Sequence, residues 1–183
     1  GSVRPNRFND KPGVWIFEIA KKKEGVEVEI LDLKDYEMPF FNEPMSPSFK
    51  QEPYKNEAVA RFTKKIEEGD AFIIVTPEYN HGTSGVLKNA LDWAYQEWNN
   101  KPVAFLSYGS VGGARAVEQL RLSSIELQMA PIRQAVHIPE HWNLLDEQGN
   151  LKEGALDSFV EPANDMIDQL LWWAKTLKEA REK

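Results

Sequence analysis

Cysteine is missing from all 183 positions. A disulfide framework, a thiolate metal site and a catalytic thiol are therefore excluded, and any redox work falls to a cofactor. No apolar run approaches the roughly 18–20 residues of a membrane span, and no signal-peptide pattern opens the chain. Basic residues are in deficit, 22 Lys plus Arg against 29 Asp plus Glu, for a formal net charge of −7. That balance opposes binding to nucleic acid or an anionic membrane, so neither is expected as a partner, and the lack of a span or signal-peptide pattern makes the cytoplasm the expected compartment. Histidine is scarce: His81, His137 and His141 are the whole set, and Pro139 between the last two argues against a zinc pair on one helical face. Neither G-x-x-x-x-G-K-[ST] nor G-x-G-x-x-G occurs in its expected setting, which disfavours a P-loop ATPase or a typical dinucleotide fold. Ser84 and Ser110 lack a nucleophile elbow.

What is present fits one globular domain over residues 1–183, with 42% hydrophobic content to fill a core. The spacing predicts a helix over 7–23, its start delayed or kinked by Pro12-Gly13, and an alternating strand over 26–33 near a sheet edge. Residues 34–54, with four prolines among aromatics, read as a long surface loop in which Phe40, Phe41, Met45 and Tyr54 wall an apolar cleft. Helices are predicted at 58–68, 84–98, 113–128 and 158–180, strands at 71–75, 102–107 and 131–138, and a polar loop at 139–157. This alternation argues for an α/β fold, a doubly wound parallel sheet with helices on both faces.

Three donor-rich turns stand out. Gly1-Ser2-Val3-Arg4-Pro5-Asn6-Arg7 offers Ser2, Arg4, Asn6 and Arg7 to a phosphate at the start of a helix. This turn is expected to follow a central first strand that the sequence does not contain. Thr76 to Gly85 follows an apolar run. In it Pro77 sets the exit, Glu78, Tyr79 and Asn80 offer backbone groups and a ring to a planar heterocycle, and His81 is a polar ligand-side residue. Gly82 and Gly85 are expected to let backbone approach a ligand, with positive φ at Gly82. Ser107 to Gly113 adds the Ser110 hydroxyl and the amides of Gly112 and Gly113. Together the three point to one composite site for a phosphorylated cofactor.

At these residues the sequence resembles the NADPH-dependent FMN reductase family, flavoproteins with a flavodoxin-like fold. The matching pieces are Gly1-Ser2-x-Arg4 with Arg7, Thr76 to Gly82, Leu87-Lys88-Asn89-Ala90-Leu91-Asp92, and Gly109-Ser110-x-Gly112-Gly113. The resemblance implies non-covalent FMN, with Ser2, Arg4 and Arg7 at the phosphate, Pro77 to Asn80 along the flavin, and Ser110, Gly112 and Gly113 closing the site. It also implies a homodimer or homotetramer with Lys88, Asn89 and Asp92 near the contact. The expected activity is hydride transfer from NADPH or NADH through FMN to a small acceptor such as a quinone, azo compound, metal ion or free flavin. No side chain is assigned as the catalytic group, because the cofactor carries the chemistry. A flavodoxin-like single-electron carrier and a non-catalytic flavin-binding scaffold remain the alternatives.

Overall fold

The computed structural model of the chain describes residues 1–50 and 52–183; the predicted loop 34–54 includes Gln51, which lies outside the described residues. Three parallel strands, β1 (Phe72–Pro77), β2 (Pro102–Gly109) and β3 (Ala130–Pro139), form a sheet in the order β1-β2-β3. Pairing runs from Phe72 opposite Val103 to Pro77 opposite Tyr108, so β1 and β2 end together. The helices are α1 (Asp10–Ala20), α2 (Glu57–Glu68), α3 (Gly85–Asp92), α4 (Ala114–Glu126) and α5 (Val160–Arg181).

The central strand β2 is buried at every residue, as a strand covered on both faces must be. Its alternation sorts the core. Ala104, Leu106 and Tyr108 face α1 and α5, meeting Ile16, Met166, Ile167 and Leu170. Val103 and Phe105 face α2, α3 and α4, meeting Ile66, Leu87, Val117 and Leu120. Pro12 and Gly13 fall in the first turn of α1, where a missing N–H costs no helical bond, so the helix begins at Asp10.

The structure differs from the sequence reading in four places. Residues 26–29 alternate in exposure, but 26–33 form no strand, because among the described residues 26–31 exchange no backbone hydrogen bond with any neighbour. Val28 and Leu31 instead reach opposite sides of the core, and Asp32 and Glu29 are drawn into ion pairs. The helix predicted over 84–98 ends at Asp92, followed by a 3₁₀ turn at Gln96–Trp98. Trp93 is held there by its indole N–H on the Pro39 carbonyl (2.8 Å) and by edge contacts to Phe41 and Tyr54. Those contacts also dismantle the predicted cleft: Tyr54 is buried and Phe41 is spent on Trp93, while Phe40 and Met45 project into solvent. Finally, 139–157 is not featureless. It carries a 3₁₀ turn at His141–Leu144 and a bridge between Leu145 and Leu151.

Candidate cofactor site

All three predicted turns lie at the carboxyl end of the sheet and are tied to one another. The Ser2 hydroxyl is 2.9 Å from the Tyr79 hydroxyl, and the Ser84 hydroxyl donates to the Gly1 carbonyl, fastening the first turn to the second. The Glu78 amide donates to the Tyr108 carbonyl (3.0 Å), and Arg115, just beyond the third turn, grips the Glu78 carboxylate through backbone N–H (3.1 Å) and guanidinium. First and third turns meet where Phe8 stacks edge-on to Tyr108 and the Tyr108 hydroxyl donates to the Asn9 side chain (3.3 Å).

Arg4 and Arg7 have different fates. Arg7 is buried, donating to the Ser2 carbonyl and pairing with Asp10 and Asp32, so its guanidinium is committed to the protein. Hydrogen bonding from Arg7 holds the Asp32 carboxyl below the usual carboxylate range. Arg4 has no carboxylate partner among the described residues, and its guanidinium lies 5.5 Å from the Tyr79 ring centroid. Asn6, exposed at φ 52°, turns the chain between them.

In the second turn, Tyr79 and Gly82 exchange backbone bonds (2.8 and 3.1 Å) around Asn80 and His81, which take φ of 50° and 70°. This is a tight reversal with both central residues left-handed. The positive φ expected at Gly82 therefore sits one and two residues earlier. Gly82 is short of space instead, since a Cβ there would come within 3.0 Å of the Gln119 side chain. Gly85 has open space around it and opens α3 behind the Ser84 cap. Glu78 turns its carboxylate away to cap α4, which lacks a cap of its own. Burial pushes the Glu78 carboxyl up, but the Arg115 hydrogen bonds outweigh it and hold the group below its ordinary value.

The third turn needs its glycines. Gly112 and Gly113 have φ of 71° and 74°, and a Cβ on Gly113 would lie 2.7 Å from Ser107 Cβ. Among the described residues, the amides of Asn80, His81, Ser110, Val111 and Gly113 donate to no protein acceptor. Such a set of uncommitted N–H groups, beside a free guanidinium and the N-terminus of α4, suits a ligand with phosphate and carbonyl oxygens. Groups beyond the sequence reading complete the rim. Glu140 N–H donates to the Gly109 carbonyl (2.8 Å), and His141 packs on Phe8 and Tyr108 with Trp142 beside it. Burial, and then Arg4, lower the His141 pKa. No group of three or more His, Asp or Glu among the described residues is placed to hold a metal.

A parallel α/β sheet carrying donor-rich turns beyond its strand ends is the flavodoxin-like arrangement. The flavoenzyme NAD(P)H:(acceptor) oxidoreductase of Paracoccus denitrificans shares this fold, with a TM-score of 0.71, 24% identity, and 96% of this chain and 94% of that one covered. The chain belongs to the family described as NADPH-dependent FMN reductase, whose sequence model matches residues 1–143. An NAD(P)H-dependent FMN reductase of Schizosaccharomyces pombe is 33% identical over 163 residues, covering 88% of this chain and 78% of the relative. A quinone reductase of Pseudomonas putida is 30% identical over 176 residues, covering 88% of each.

Proposed function

We propose that residues 1–183 act as one FMN-binding domain that oxidises NAD(P)H and reduces a small acceptor of the quinone, azo or flavin kind. The observation that carries this reading is the set of uncommitted amides and the free Arg4 guanidinium gathered at one end of the sheet. FMN, when bound, supplies the hydride chemistry, which side chains alone lack. Ser2 and Arg4 then hold the phosphate, with Arg7 and Asn6 shaping the turn that presents them. The reversal from Pro77 to Gly82, through the amides of Asn80 and His81, and the turn from Ser110 to Gly113 present fixed dipoles to the ring edge. Tyr79 keeps the Arg4 guanidinium over its face, and Tyr108, Phe8 and His141 keep water from the floor.

Among the described residues no helix is long and apolar enough to cross a membrane. We place the protein in the cytoplasm, where nicotinamide donors are made and spent. A homodimer is the proposed assembly, formed through the outer face of α3 and α4. Lys88 and Asp92 pair there (2.7 Å), and Leu122 and Ile125 stand exposed. Asn89 does not reach that face: its side chain bonds the Phe41 amide and the Pro39 carbonyl, both at 2.9 Å.

The test is anaerobic spectroscopy of FMN-loaded protein. NADPH is expected to bleach the flavin and a quinone to restore it, with ping-pong kinetics between the two. A flavin that NADPH and NADH both leave oxidised, but that dithionite takes to a long-lived semiquinone, moves the protein to the single-electron carriers. FMN that binds but neither oxidises NAD(P)H nor gives a long-lived semiquinone leaves only the scaffold reading, and failure to take up FMN overturns the reading of the site.

A further inference from the structure

The third turn rests on a polar chain that starts outside the site. Ser107 lies on β2 with no exposed surface, and its hydroxyl donates to the Gly112 carbonyl at 2.7 Å. His137, on the neighbouring strand β3, brings Nδ1 to 2.8 Å from Ser107 Oγ and to 3.3 Å from the same carbonyl. Only one proton arrangement satisfies all three contacts. The carbonyl oxygen accepts only, so the single Ser107 proton goes to it, and Nδ1 must then carry a hydrogen and donate to Oγ. The reverse tautomer would set two oxygen lone pairs against each other at 2.7 Å and leave Nδ1 facing a carbonyl with no hydrogen between them.

The Gly112 carbonyl and the Gly113 N–H belong to one planar peptide unit and point in opposite directions. Pinning the carbonyl inward therefore aims the Gly113 amide outward, and that amide has no protein acceptor among the described residues. A hydroxyl that itself receives a hydrogen bond donates more strongly, and polarisation of this kind passes along the chain from imidazole to hydroxyl to peptide. The packing allows little slack. A Cβ on Gly112 would lie 2.9 Å from His137 Cβ, so the turn is pressed against the histidine itself.

We infer that His137 is a positioning residue, which through Ser107 and the Gly112 carbonyl aims and strengthens the Gly113 N–H as a donor to the bound flavin. The inference rests on the FMN reading of the site. His137→Ala is expected to weaken FMN binding about tenfold, as loss of one well-placed hydrogen bond does. His137→Asn, whose side-chain amide N–H stands where Nδ1–H does, is expected to restore affinity to within about threefold of the parent. Flavin-free protein supplies an independent readout: a long-range ¹H–¹⁵N spectrum above neutral pH should show His137 as the Nδ1–H tautomer. An Nε2–H tautomer overturns the proposal. So does equal FMN affinity in the parent and His137→Ala, or an asparagine variant as weak as the alanine one while both flavin-free variants melt with the parent. Parent protein that binds no FMN overturns the reading of the site itself, whereas FMN binding indifferent to His137 overturns only the part given to the histidine.

Discussion

Two arginines three positions apart divide between an exposed position and a buried ion pair, and the division was invisible in the sequence. Both sit in a Gly-Ser-led turn before a helix, and a phosphate attracts either. What separates them is Asp32, 25 residues further on, which captures Arg7 together with Asp10. Arg4→Ala is therefore expected to weaken FMN binding by about 1.5–3 kcal/mol, roughly tenfold to a hundredfold, with little change in the melting temperature of flavin-free protein. Arg7→Ala should act first on stability, and on affinity only through the loosened turn. It strips a buried guanidinium from carboxylates that keep some contact with water, at a cost of about 3 kcal/mol or less, visible in denaturant unfolding without flavin. Equal loss of affinity at fixed stability for both variants would reject the division. Asn80 and His81 carry a similar lesson: glycine composition drew attention to Gly82, but the left-handed conformations fell to the asparagine and histidine beside it.

Elements with strong periodic signals were legible, and those that depend on distant partners were not. The continuous apolar runs at 71–75 and 102–107 became β1 and β2 because burial on both faces is written into the residues themselves. The alternation over 26–33 is as clean, yet a strand exists only when another backbone pairs with it. Helix ends show the same dependence. The C-terminus of α2 runs into Gly69 in an extended conformation, and its last carbonyls are met by Lys101, which donates to Ile66 at 2.8 Å and Glu67 at 2.7 Å. Burial, and then Arg181, lower the Lys101 pKa from 10.5 to about 8. Between those values the unfolded chain binds the proton and the folded one does not, so raising the pH stabilises the fold there and changes nothing of this contribution below about 8. Chemical denaturation of the parent against Lys101→Met, which cancels the other titrating groups, should show the difference moving in favour of the parent across that window. A difference flat with pH would mean that the ammonium is not desolvated.

At the scale of the molecule, α1 and α5 seal one face of the sheet and α2, α3 and α4 the other, but the second layer ends in apolar side chains turned to solvent. Leu122 and Ile125 are 68% and 62% exposed on α4, and Leu122 lines a groove between α3 and α4 with Leu91, Leu127 and the Lys88–Asp92 pair. The sequence hid this, since exposure on a helix is fixed by which face the tertiary structure buries. In the proposed homodimer two copies, each with a formal charge of −7, would repel one another, and burial of these side chains would have to outweigh that repulsion. Added salt screens the repulsion and leaves the apolar contribution intact, so dimerisation should tighten as ionic strength rises. Leu122→Glu combined with Ile125→Glu removes about 1.5–3 kcal/mol of burial per side chain and adds like charge, enough to raise the dimer dissociation constant by roughly a hundredfold or more. Light scattering across a dilution series should find a dimeric parent and a monomeric variant with an unchanged circular dichroism spectrum. A parent that stays monomeric at high concentration and high salt, or a double variant that dimerises like the parent, would remove this face from the assembly.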